Sequence, residues 1–197
     1  MKRIFFSLAL LLAVTTLAAQ TNMTAREAAV KIADRILAST TYEFKNTKTG
    51  ETYKSVKKLP LDMDVKVACK YNNWHYTNGV TNMALMELGD KLGDKKYEKY
   101  VLKNMNFVFN EGNLDFFRKQ YDEAFKRDGW NAVRKLSWHM IFRGKRLDDN
   151  GPMGASLIEL QLKYPNDSFL GYINETAEHL NYGEPRLVDG TIARIWP

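Results

Sequence analysis

Cysteine is almost missing from this chain. Cys69 is the only one in 197 residues, so no internal disulfide can form and the fold must rest on its core. A lone thiol of this kind packs as a small apolar group, which is the expectation for Cys69. Histidine is also scarce. His75, His139 and His179 fall in separate segments, without the i, i+4 or cysteine-partner spacing that a metal site needs, so neither metal nor cofactor is expected. No glycine-rich phosphate loop, nucleophile elbow or Cys-x-x-Cys is present, which removes support for nucleotide, serine-hydrolase and thioredoxin chemistry. Long runs of one charge sign are lacking too, and nothing in the charge pattern argues for nucleic acid.

Apolar runs are confined to the N-terminus. Lys2 and Arg3 precede a stretch from Ile4 to Leu17, and small residues follow at Ala18 and Ala19. That is the three-part layout of a secretory signal, and its core is shorter than the ~20 residues of a permanent anchor. A lipid anchor would require a cysteine at the cleavage point. The expectation is therefore an export signal over residues 1–20, one domain over 21–197, and a soluble periplasmic or secreted product with no membrane association once the signal is removed. Losing Lys2 and Arg3 from the 29 basic residues leaves 27 against 23 acidic, a formal charge of +4 rather than +6. Such a mild positive field suits an anionic sugar.

What the chain does contain is helical periodicity. Thr24 to Glu27 has the spacing of a capping box, and Ala28, Ile32, Ile36 and Leu37 recur behind it, predicting a helix over Thr24 to Ala38. The polar, lysine-rich stretch from Thr40 to Asp62 reads as a long loop, with room for a short hairpin at Thr49-Gly50. A helical stripe from Asn78 to Leu92 closes at Gly93, and a second helix from about Lys95 to Asn110 follows a loop of about three residues, predicting a helical hairpin. Asn113 to Asp128, Asn131 to Arg143, Gly151 to Tyr164 and Asp167 to Asn181 complete six or seven helices, and Leu187 to Ile192 reads as a short extended turn. No run of alternating strands competes with this pattern, so the fold class is all-α, an array or toroid of paired helices.

Two segments concentrate chemistry. In Leu147-Asp148-Asp149-Asn150-Gly151-Pro152-Met153-Gly154, two carboxylates stand at the mouth of a predicted helix, where backbone N–H groups and the dipole favour negative charge. The same position also suits Asp149 or Asn150 as a plain N-cap. In Trp74-His75-Tyr76-Thr77-Asn78-Gly79-Val80, aromatic faces precede a helix and could stack on sugar rings, or could belong to the core. Arg186 and Arg194 flank an Asp189-Gly190 turn, where a guanidinium could hold a sugar carboxylate or serve a structural ion pair.

These segments, in this order and together with Arg186-Leu187-Val188-Asp189-Gly190-Thr191-Ile192-Ala193-Arg194 and the Leu92-Gly93-Asp94-Lys95-Lys96-Tyr97 turn, resemble glycoside hydrolase families 88 and 105, the unsaturated glucuronyl and rhamnogalacturonyl hydrolases. The resemblance implies an (α/α)6 toroid of six helical hairpins, of which this chain would carry roughly the first half. It implies an enzyme of polysaccharide degradation acting on unsaturated uronyl oligosaccharides. Such enzymes protonate the C4=C5 bond of a non-reducing-end unsaturated uronate and add water at C5. This differs from the usual pair of carboxylates flanking a glycosidic oxygen.

Asp149 matches the first of the family's two active-site aspartates, and Trp74, Tyr76, Asn78, Asp148 and Arg194 are the substrate-binding candidates. The second aspartate belongs to a Trp-x-Asp-Asp type segment beyond the Asp-Gly-Thr turn, and this chain ends at Ile195-Trp196-Pro197. Residues 1–197 alone are accordingly expected to be inactive. The competing expectation, from another class, is a non-catalytic helical module that binds acidic oligosaccharide or a partner protein.

Overall fold

The computed structural model describes residues 23–143 and 147–193; the expected signal over residues 1–20 lies outside the described residues. They fall into two units with the break after Arg35. The fold is mainly helical, with seven α-helices and one small sheet among the described residues. No helix among these residues is long and apolar enough to cross a membrane.

Helix α1, Ala25–Ser39, opens on the predicted capping box. Thr24 N donates to Glu27 Oε2 at 2.9 Å, and Glu27 N donates back to Thr24 Oγ1 at 3.2 Å. Two otherwise orphaned amides are thereby satisfied. The hydrogen bonds from the Thr24 backbone and side chain also hold the Glu27 carboxyl below its ordinary range.

After the end of α1 comes the stretch expected to be a loop, and there the all-α expectation needs correction. Strands β1, Phe44–Asn46, β2, Thr52–Tyr53, and β3, Val65–Val67, form an antiparallel sheet in the order β2-β1-β3. Phe44 pairs with Tyr53 on one side and Val67 on the other. Asn46 Oδ1 accepts from Lys48 N at 2.9 Å and Thr49 N at 3.1 Å, an Asx-type turn that reverses the chain. Gly50 then takes the positive φ of +81° that completes the reversal. Phe44 and Val65 are fully buried. The β1–β2 hairpin turns at Thr49-Gly50, where the sequence leaves room for one; β3 was not visible in the sequence pattern, because its one buried anchor, Val65, is too isolated to register as periodicity.

Helix α2, Tyr76–Leu92, ends on Gly93 in the left-handed region, and helix α3, Lys96–Val108, follows after three residues as predicted. Helix α4, Glu111–Val133, is capped by Asn110 and interrupted at Asp128 and Gly129, the latter at φ 51°, ψ −136°. That break coincides with the gap left between the two predicted segments. A turn containing Trp138 at φ 57° leads to α5, His139–Arg143. A large side chain rarely adopts a positive φ. Here Trp138 is completely buried, its Nε1 donating to the Asn72 carbonyl at 2.7 Å, and that enclosure offsets the backbone cost.

Helices α6, Leu147–Lys163, and α7, Asp167–Glu178, close the series, followed by one π-helical turn over His179–Gly183. Asn166 caps α7 by accepting from Ser168 N at 3.0 Å. Beyond it, Arg186 pairs with Ile192 across the expected turn.

Two aromatic clusters make the core. Phe44, Phe107, Phe117 and Trp138 bind the sheet to α3 and α4, with Phe117 and Trp138 ring centroids 4.6 Å apart. Trp74, Phe109, Phe169 and Tyr172 join the start of α2 to α7. Edge-on contacts make up the second, as the ring quadrupole favours, whereas the first combines the stacked Phe44–Phe107 pair, two tilted pairs and one edge-on contact between Phe107 and Trp138. Cys69 is buried as expected, with Sγ 3.8 Å from the Ser39 carbonyl.

Candidate functional site

The chemistry-bearing segments are placed by one unusually close helix contact. Gly79 lies in the first turn of α2, and a Cβ built on it would stand 2.4 Å from the Pro152 carbonyl carbon and 2.5 Å from Met153 N. Both are backbone atoms of α6, so only glycine permits the approach. A second small residue tightens the next contact. A Cβ on Gly154 would be 3.3 Å from Thr176 Cγ2 on α7. The segments 74–80 and 147–154, some seventy positions apart in sequence, are therefore side by side.

Helix α6 begins earlier than the periodicity predicts, at Leu147 rather than Gly151. Asp148 and Asp149 therefore lie inside its first turn rather than before it, where the unsatisfied N–H groups and the dipole favour carboxylates. Asp148 is exposed. The backbone of Asp149 belongs to this turn, and its side chain lies outside the described part of the structure. Pro152 is tolerated within the helix near its start, although its ring nitrogen offers no hydrogen bond to the Asp148 carbonyl.

Asn150 is not the cap that the sequence allows it to be. It is buried, and its Oδ1 accepts from the Tyr172 hydroxyl at 2.7 Å. The Tyr172 ring in turn meets Trp74 edge-on with centroids 4.8 Å apart. Tyr172 is thus the residue that ties the two segments together, and sequence reading missed it. Its signal was present but faint: Phe169, Tyr172 and Thr176 recur on one buried face of α7, and a buried tyrosine hydroxyl needs a polar partner.

The substrate-binding candidates separate into different fates. Trp74 is 1% exposed, so its faces are enclosed by protein and the sugar-stacking expectation is corrected to a core role. Tyr76 is 48% exposed and leans on the His75 ring at 4.5 Å, presenting an aromatic face beside the helix start. Asn78 spends its amide on local structure, Nδ2 donating to the Lys70 carbonyl at 2.8 Å and the Asn73 carbonyl at 2.7 Å. His75 caps α2, its Nδ1 accepting from Thr77 N.

Arg194 lies outside the described residues. Its companion Arg186 is committed to the turn, with Nη1 donating to the Gly190 carbonyl at 2.8 Å and Nη2 to the Leu180 carbonyl at 2.7 Å. Thr191 N donates to Asp189 Oδ1, which holds that carboxyl below its ordinary range. These bonds stay within residues 180–191. The first two motif segments are brought together, whereas the third organises itself.

Behind the site, an ion network fixes α2, α3 and α6. Lys163 Nζ donates to Glu98 Oε2 at 2.8 Å and to both Asp90 oxygens at 3.0 Å, and the Tyr164 hydroxyl donates to Glu98 Oε1. These partners depress the Glu98 carboxyl and raise the Lys163 ammonium. Among the described residues, no group of three or more histidine, cysteine or acidic side chains could hold a metal ion. A groove of about 550 Å³ lined by Asp62, Asp64, Lys66, Arg127, Asp128 and Lys135, among others, contains no residue of the motif segments.

No family model matches this chain, and no curated protein matches it in sequence.

Proposed function

We propose that this chain contributes the first part of an (α/α)6 toroid that hydrates unsaturated uronyl oligosaccharides, in the manner of glycoside hydrolase families 88 and 105. The observation that carries this reading is the backbone contact of Gly79 with Pro152 and Met153. It seats an exposed aromatic, Tyr76, on the segment that abuts α6 just past its carboxylate-bearing first turn. An enclosed pair of aromatics, Trp74 and Tyr172, supports both from below.

In this proposal a carboxyl group delivers its proton to C4, the C4=C5 electron pair forming the new C–H bond. Water then adds at C5, returning a proton to the carboxylate. The resulting hemiketal collapses and releases the next sugar. Asp149 is the carboxylate of this segment assigned to the site, and its place in a helix first turn stabilises the anionic state it passes through between giving its proton to C4 and regaining one from water. Asp148 and Tyr76 orient the sugar.

The experiment follows the ultraviolet absorbance of the conjugated double bond of an unsaturated disaccharide. Residues 1–197 are expected to bind the disaccharide without turning it over, and Asp149→Asn to abolish that binding. Any longer product of the same reading frame is expected to consume the signal, and to lose at least ~10²-fold in rate with Asp149→Asn. Unaltered binding in that variant sinks the assignment of Asp149, and so does unaltered turnover.

A second reading, a non-catalytic helical module that binds acidic oligosaccharide or a partner protein, is favoured by the apolar side chains exposed on α6 and α7, namely Ile158, Leu162 and Leu170. It predicts saturable binding with no turnover in any form of the protein.

A further inference from the structure

One face of α4 carries Arg118, Tyr121 and Phe125 at i, i+3 and i+7, the spacing that lines side chains along one side of a helix. The Tyr121 and Phe125 rings are nearly parallel, 5° apart in plane with centroids at 6.2 Å. Phe142 of α5 packs against Tyr121 at 5.7 Å, and the Arg118 guanidinium lies over the Phe142 ring at 4.9 Å. Next along, the Arg143 guanidinium covers the Trp130 ring at 4.1 Å. The two halves are contiguous, since Phe142 and Arg143 are consecutive residues of α5.

This is a surface rather than a core. Phe125 is 53% exposed and Trp130 37%, an unusual outlay of aromatic area on solvent. Arg118 is exposed, and its neighbour among the described residues is the Phe142 ring face rather than a carboxylate. Flat aromatic faces take the C–H faces of pyranose rings, and a guanidinium held over an aromatic ring presents its N–H fork to a carboxylate. A chain of uronates carries its carboxylate on the same pyranose ring whose C–H face stacks, which matches aromatic planes with a guanidinium beside them.

We infer that the face of α4 and α5 formed by Arg118, Tyr121, Phe125, Trp130 and Phe142 is an accessory binding surface for acidic oligosaccharide, separate from the segment that carries Asp149. The choice of uronate as ligand rests on the function proposed above; the surface itself is outside the reacting site. It would hold polymer near the protein while chain ends are processed elsewhere.

The test uses saturated tetragalacturonate, which has no C4=C5 bond to react, with binding read by calorimetry on residues 1–197. Arg118→Gln is expected to weaken binding by roughly tenfold, the cost of one charge-assisted contact. Phe125→Ala serves as a second variant with the same expectation, and the methyl-esterified tetramer, which lacks the carboxylates, should bind the parent protein correspondingly worse. The inference is overturned if the tetramer does not bind, if Arg118→Gln and Phe125→Ala bind as the parent does, or if a single-stranded oligonucleotide displaces the sugar at lower concentration. If Asp149→Asn alone removes binding, the ligand sits at the motif segments. That outcome refutes the accessory surface while leaving the proposed function standing; failure of any longer product of the reading frame to consume the unsaturated disaccharide, with tetramer binding to residues 1–197 intact, does the reverse.

Discussion

Replacing Gly79 with alanine tests the contact on which the site depends. The added methyl would sit 2.4 Å from the Pro152 carbonyl carbon, 2.5 Å from Met153 N and 2.6 Å from the Pro152 carbonyl oxygen. Ordinary contact begins near 3.4 Å, so α2 and α6 must separate by about 1 Å, and the atoms in the way are backbone that cannot swing aside. Overpacking of this kind costs about 1–3 kcal/mol or more. Working against it, alanine is the better helix former by about 1 kcal/mol.

Gly171 provides the control. It lies in α7, and a methyl added there would meet nothing within 4 Å, so Gly171→Ala feels only the propensity effect and should stabilise by about 0.5–1 kcal/mol. Gly79→Ala should instead lower the thermal midpoint, at roughly 2–4 °C per kcal/mol for a domain of this size. Its near-ultraviolet circular dichroism should also change as Trp74 and Tyr172 lose their fixed geometry. If Gly79→Ala melts at or above the parent temperature while Gly171→Ala gains, the close approach of α2 and α6 is wrong, and the juxtaposition of the two motif segments falls with it.

Lys163→Met should destabilise by about 2 kcal/mol at neutral pH, since it strands Glu98, whose side chain is only 10% exposed. Glu98 titrates below its unfolded value, so its share is present above about pH 4.3 and is lost as pH falls through the folded value; Lys163 titrates above its own, so its share is present below about pH 10.4 and is lost as pH rises through the folded value. Urea melts should therefore show the gap between variant and parent closing at both extremes, and a constant gap down to pH 2 would contradict the network. Tyr172→Phe should cost about 1–2 kcal/mol, because the buried Asn150 Oδ1 loses its donor, and an unchanged denaturation midpoint would deny that bond. Trp74→Ala should cost about 3–5 kcal/mol as a core truncation, whereas Tyr76→Ala should change stability by no more than about 0.5 kcal/mol while weakening sugar binding. The reverse ranking in thermal melts would restore Trp74 to the surface.

Local signals were legible wherever a few neighbouring residues decide the outcome. Thr24 and Glu27 close their capping box, Gly93 ends α2, and the α2–α3 hairpin turns in three residues, because each depends on backbone bonds within one or two turns of helix. The turn of the β1–β2 hairpin at Thr49-Gly50 was legible, whereas the three-stranded sheet was not, because its stability comes from Phe44 packing on Phe107 and Phe117, residues more than sixty positions away. Pattern alone could not assign Trp74 either. An aromatic before a helix is equally suited to core or surface, and the arrival of Phe109 and Tyr172 from other helices made it core.

By itself, the sequence determined the mainly helical class, most helix positions, the burial of Cys69 and the position of two carboxylates at a helix start. Only the tertiary structure decided that Asp148 and Asp149 lie within the first turn rather than before it, that Asn150 is a buried acceptor for Tyr172, and that segments 74–80 and 147–154 touch through Gly79. The physical reason is range. Caps and periodicity are set by near neighbours, whereas contact between helices seventy residues apart depends on which side chains are small enough to let the backbones meet.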